Sequence, residues 1–145
     1  MEVVELYKDI LEIRIDYDAK LVCSTWLHYS ESNNFRQGLS HIASCINKHH
    51  LTLWLQDCRN LSAPGVLDQK WILEELMPLL EKSDLQKIAM VMPGDYILHM
   101  VAAEMRDKIY GKFGRRILLE CFSRSTHGLY WLQSTDETSE FFMAV

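Results

Sequence analysis

Two apolar runs, Leu51 to Leu55 and Ile88 to Met92, each lead through a polar loop into a segment with helical periodicity. A strand buried on both faces has no room for alternating polar residues. Such runs therefore mark the central strands of a parallel α/β sheet whose crossover helices cover it. Upstream the pattern changes: Leu11, Ile13, Ile15 and Tyr17 alternate with Glu12, Arg14 and Asp16, the period of a strand with one wet face. Asp18, Ala19 and Lys20 separate it from a second extended run, Leu21 to Tyr29, which predicts an antiparallel hairpin, with a shorter strand over Val3 to Tyr7 at the edge.

Helical spacing of Phe35, Leu39, Ile42 and Ile46 predicts a first helix, with Ser30 or Ser32 as its cap and Lys48, His49 and His50 at its end. A second helix is expected to begin at Asp68, with Ile72, Leu76 and Leu79 or Leu80 as its buried stripe. Pro78 falls inside that stripe and predicts a kink or an early stop, because proline lacks the N–H and its ring opposes the carbonyl four residues back. A third helix, capped by Asp95 and ended by Gly114, carries Leu98, Val101, Met105 and Ile109 on one face. A strand over Arg116 to Phe122 and a short helix from Ser125 complete the pattern.

A chain of 145 residues is one domain in size and buries roughly two-thirds of its unfolded surface on folding. We expect a single domain over 1–133, followed by a tail, 134–145, that is acidic and then apolar at Phe141 to Met143. The net charge of −5 and the lack of any large Lys/Arg cluster argue against nucleic-acid binding, which needs concentrated positive charge. The first residues lack a basic segment followed by a long apolar one, and no run reaches the roughly 20 residues that span a bilayer. A cytoplasmic location without a transmembrane segment is the resulting expectation.

Cys23, Cys45, Cys58 and Cys121 show no C-x-x-C spacing and read as reduced core thiols rather than as zinc ligands or a disulfide framework. The six histidines show no HExxH-type spacing, so neither a metal nor any other cofactor is expected. His99, one turn beyond Asp95, reads as a satisfied surface histidine. No G-x-S-x-G or glycine-rich phosphate loop is present, and a thiolate at Cys58 would be opposed by the neighbouring Asp57. The four tryptophans fit core positions, Trp71 being the one placed to form a wall of a binding site.

The hairpin feeding successive helix–strand units, Asp57 at a strand end, the stretch Asp68-Gln69-Lys70-Trp71-Ile72, and the run Lys87 to Pro93 together resemble the SpoIIAA-like, STAS-domain-like family of small bacterial proteins. The likeness covers Tyr7 to Gln133 and rests on pattern and order. It implies an α/β fold: a mixed sheet with an N-terminal antiparallel hairpin and parallel core strands flanked by helices. In the anti-sigma-factor antagonists of that group, a serine following an aspartate at the start of a helix is phosphorylated and controls partner binding. Here the corresponding stretch reads Val66-Leu67-Asp68-Gln69 with no serine beside Asp68, and the nearest hydroxyl is Ser62 in the preceding loop.

The expectation is a non-enzymatic regulatory or protein-binding module, with a working edge formed by Asp57, Arg59, Ser62, Asp68 and Trp71. Arg59 would supply a charged contact, Asp68 a helix cap and Trp71 an apolar contact, because strand C-terminal ends are where open α/β sheets bind. The alternative is a small apolar ligand such as a lipid, held in a pocket like that of the CRAL-TRIO class, which STAS-like folds resemble. The apolar tail and helix faces are also compatible with a homodimer.

Overall fold

A computed structural model describes residues 2–94 and 96–134. The expected Asp95 cap and the Phe141 to Met143 segment lie outside the described residues. Six strands form one sheet in sequence order: β1 (Glu2–Tyr7), β2 (Leu11–Asp16), β3 (Leu21–Trp26), β4 (Leu53–Asp57), β5 (Lys87–Val91) and β6 (Leu118–Phe122). β1, β2 and β3 pair antiparallel, and β3 to β6 pair parallel. The mixed sheet with an N-terminal hairpin therefore stands as the sequence predicts.

The strand order fixes where the helices go. Parallel crossovers are right-handed, and a sheet that adds every strand in the same direction puts every crossover on the same face. α1 (Ser32–His49), the α2 (Val66–Trp71) to α3 (Met77–Glu81) segment and α4 (Tyr96–Phe113) all contribute to one core. Its sheet side is Leu11, Ile13, Val22, Trp26, Trp54, Ile88 and Leu119. The opposite face is covered over β4 to β6 by α5 (Ser125–Gln133), through Trp131 and Leu132 against Leu55, Ala89 and Phe122. Glu12 and Arg14 of β2, by contrast, form ion pairs on the uncovered part of that face.

Several local expectations change. Neither Ser30 nor Ser32 caps α1: Glu31 is the residue before the helix and makes no capping bond, while the Ser30 hydroxyl is buried without a partner. The second helix starts at Val66 rather than Asp68, and Pro78 does not stop it. Residues Ile72–Leu76 instead widen into a π-helical stretch, in which the Met77 N–H bonds the Ile72 carbonyl five residues back. That extra residue in the turn immediately precedes Pro78 and re-phases the helix where proline breaks the ordinary ladder. Leu80 is then fully buried and Leu79 exposed. At the end of α4, Gly114 takes φ 78°, as the expected terminator should.

Candidate functional site

The helical layer does not close tightly on the sheet. Between the α2–α3 segment and α4 lies an apolar cavity of about 90 Å³. Its floor is the covered face of the central strands, at Trp54, Gln56, Ile88 and Met90. One wall is the π-helical stretch with Ile72 and Leu76, and the other is α4 with Leu98, Ala102 and Met105. The single methyl of Ala102 stands where the flanking α4 positions carry Leu and Met. Exposed Ser62 and half-buried Pro64 mark its outer rim.

Gln56 brings the principal polar group to this lining, and it is held in place. Its Oε1 accepts from Ser24 Oγ and from Trp26 Nε1, both at 3.3 Å, and Ser24 Oγ accepts from Trp54 Nε1 at 2.8 Å. Two indole rings are thereby fixed by their only donors, as buried tryptophans require. The loop after β4 is tied down as well: Asn60 Nδ2 donates to the Trp26 carbonyl at 3.0 Å and Gln69 Nε2 to the Pro64 carbonyl at 2.9 Å.

The five residues expected to form the working edge fall into three places. Arg59 folds back on Asp57, donating from Nη2 to Oδ2 at 2.6 Å and from Nε to both oxygens. Asp57 also accepts from the Arg59 backbone N–H, and it is paired in register with Thr25 and Val91, on the face that α5 covers. The Arg59 charge is thus already matched, and the hydrogen bonds to Asp57 push its pKa up. Ser62 and Asp68 share a polar pocket with Ser30 and Ser32 on the helical side.

Asp68 is not a cap. At the third helical position it accepts from Ser32 Oγ at 2.6 Å and from Arg36 Nε at 2.7 Å, bolting α2 to the start of α1. Its carboxylate also lines the pocket that a phosphate on Ser62 would enter, where like charge is unfavourable. Trp71 ends α2, half-buried, with the Arg36 guanidinium 5.7 Å from its ring, and it borders a groove with Tyr7 and His41 remote from Asp57.

Cys23, Cys58, Cys121, His99 and three of the tryptophans behave as inert structure. All four cysteines are free. Burial first, and then the charge of Asp57, raise the pKa of Cys58, while burial lifts Cys23 and Cys121 each to about 11. Such thiols are poor nucleophiles at neutral pH. His99 donates from Nε2 to the Pro93 carbonyl at 2.7 Å. Trp26, Trp54 and Trp131 are core residues.

A mixed sheet with its crossovers on one face and a cavity beneath them defines the class of this protein as a small α/β domain. The chain is similar to the crystal structure of an uncharacterized protein of the DUF3478 family, with a SpoIIAA-like fold, from Shewanella loihica PV-4. The two superpose with a TM-score of 0.51 over 91% of this chain and 92% of the other, at 13% sequence identity. At that identity the likeness establishes the SpoIIAA-like fold. No family model and no curated protein matches the chain. Among the described residues no helix is long and apolar enough to cross a membrane.

Proposed function

We propose that this chain is a non-enzymatic binding module that takes a small apolar molecule into the space between its sheet, the α2–α3 segment and α4. The observation that carries this reading is the cavity. Protein cores are packed as densely as organic crystals, with few voids larger than a water. A space of about 90 Å³ lined by Leu, Ile, Met and Trp side chains is well above that scale. It is smaller than the roughly 150 Å³ engineered cavity that admits benzene, so it fits a compact group or the end of an acyl chain. Gln56 gives one fixed polar partner against an otherwise apolar wall, the usual composition of a small-molecule site.

The test is native mass spectrometry of freshly purified protein against its denatured mass, followed by thermal unfolding with linear fatty acids of increasing chain length. A bound adduct, and a Tm that rises with ligand concentration, are the expected results; saturation a hundredfold above Kd stabilises by about 2.7 kcal/mol. Ala102→Leu, which fills the space, should abolish both effects while the circular dichroism stays unchanged. A clean mass and a flat Tm across the series would overturn the reading.

A second reading, binding of a protein partner, is supported by apolar side chains at helix starts. Val66 and Leu67 open α2 and Tyr96 and Ile97 open α4, each more than half exposed. Sedimentation velocity tests the case in which that partner is a second copy. Val66→Ser with Ile97→Ser should dissociate a wild-type dimer, and a monomeric wild type would count against self-association.

A further inference from the structure

Outside the cavity, three side chains of different chemistry converge between the edge strand and the first helix. His41 and Cys45 are one turn apart on α1, so both project from the same side of it. Glu5 lies on β1 opposite Ile13, whose fully buried side chain faces α1, and the shared face of paired residues points Glu5 the same way. His41 Nε2 donates to Glu5 Oε1 at 2.6 Å and stands 4.0 Å from Cys45 Sγ. One oxygen, one nitrogen and one sulfur therefore lie within 4.8 Å of one another. The Tyr7 ring, 4.6 Å from the His41 ring, holds the imidazole plane.

We propose that Glu5, His41 and Cys45 form a zinc-class metal site with three protein ligands and an open fourth position. Zinc bonds of about 2.0–2.3 Å to these atom types in a tetrahedron place the donor atoms roughly 3.3–3.8 Å apart. The observed separations bracket that range. An incoming ion spreads the Glu5–His41 pair by less than about 1 Å and draws the sulfur inward, which an exposed carboxylate on an edge strand and a half-buried thiol permit. Two protons move as the ion binds: the Cys45 thiol proton passes to solvent, and the proton that His41 Nε2 donates to Glu5 also leaves Nε2 for solvent, the neutral imidazole then carrying its one proton on Nδ1.

A thiolate and an imidazole select a soft or borderline cation such as Zn²⁺ over Mg²⁺ or Ca²⁺, which prefer all-oxygen shells. Of the three ligands, His41 also lines an open groove bordered by Gln37, Ser40, Ser44 and Trp71, which gives water or an exogenous ligand access to it.

Cobalt(II) titration of the untagged chain tests this. Tetrahedral cobalt bound to a thiolate gives an intense sulfur-to-metal charge-transfer band and visible d–d bands, with one equivalent expected per chain and displacement by zinc. Cys45→Ser should lose the charge-transfer band, and His41→Gln should lose stoichiometric binding. Outer-shell groups alone are worth about ten- to a hundredfold in affinity, so Glu5→Gln, which removes a ligand, should weaken zinc about tenfold or more by calorimetry. All three positions are at least partly exposed, so the variants keep their fold, which circular dichroism verifies. A wild type with no charge-transfer band, or a band that survives in Cys45→Ser, overturns the site.

Discussion

Single positions carry much of the packing. Gly38 lies on α1 directly over Trp26: a Cβ there would sit 2.5 Å from Trp26 Cη2 and 3.3 Å from Leu11 Cδ2. Trp26 is fully buried and hydrogen-bonded to Gln56, so it has nowhere to retreat. Gly38→Ala gains up to about 1 kcal/mol of helix propensity but meets an overpacking cost of about 1–3 kcal/mol. The expected outcome is a net loss of up to about 2 kcal/mol, read as a lower denaturation midpoint in urea. The thiols make a second prediction. Cys23 and Cys121 move from an ordinary value near 9 to about 11 on folding, so the folded state holds protons that the unfolded state releases between those values. Their contribution is intact below pH 9 and is lost as pH rises toward 11. Tm should fall over that window, less steeply in Cys121→Ala, and alkylation of both thiols by iodoacetamide at neutral pH should be slow without denaturant.

At the scale of elements, periodicity located nearly every helix and strand but not their ends. The helix around Pro78 shows why. The sequence reveals that proline breaks the hydrogen-bond ladder, yet not whether the chain answers by stopping or by adding a residue to the turn. Packing of Leu76, Met77 and Leu80 against the core decides for the π-helical solution, since stopping would expose all three. The end of this helix is then fixed from a distance. Arg116, just before β6, donates to the carbonyls of Leu80, Glu81 and Leu85 and to the Glu81 carboxylate. Such a cation satisfies the orphan carbonyls of a helix C-terminus. Arg116→Ala should cost about 1–2 kcal/mol, the range for charged hydrogen bonds reduced for a half-exposed side chain. Hydrogen exchange should speed up at the end of α3 before the rest of the sheet.

At the scale of the whole molecule, strand order is the controlling variable. With β3 to β6 laid down in one direction, the crossovers share a face and no reversal of order creates a crevice at the strand ends. This is why Asp57, Arg59, Ser62, Asp68 and Trp71 do not form one site, and why the space for a ligand lies under the helices. Ala102→Leu should leave stability unchanged or raise it slightly, because it fills existing space instead of displacing neighbours. A chemical denaturation curve checks that, and a loss above about 2 kcal/mol would show the site to be fully packed.

Element types, the hairpin, the parallel core and its SpoIIAA-like likeness were readable from the chain alone, as was the direction in which Asp57 pushes the neighbouring Cys58 thiol, although burial is the larger cause there. Those follow from local periodicity and from neighbours in the chain. Tertiary structure alone decided that Arg59 is spent on Asp57, that Asp68 clamps α2 to α1, that Ala102 leaves a cavity opposite Gln56, and that Glu5 meets His41 and Cys45. Arg59 and Asp57 are only two residues apart, and their pairing depends on how the chain turns after β4; each of the others joins residues far apart in the chain or depends on how closely two elements pack. The i and i+4 spacing of His41 and Cys45 was legible, but their third partner arrives only through the pairing of β1 with β2 beneath α1.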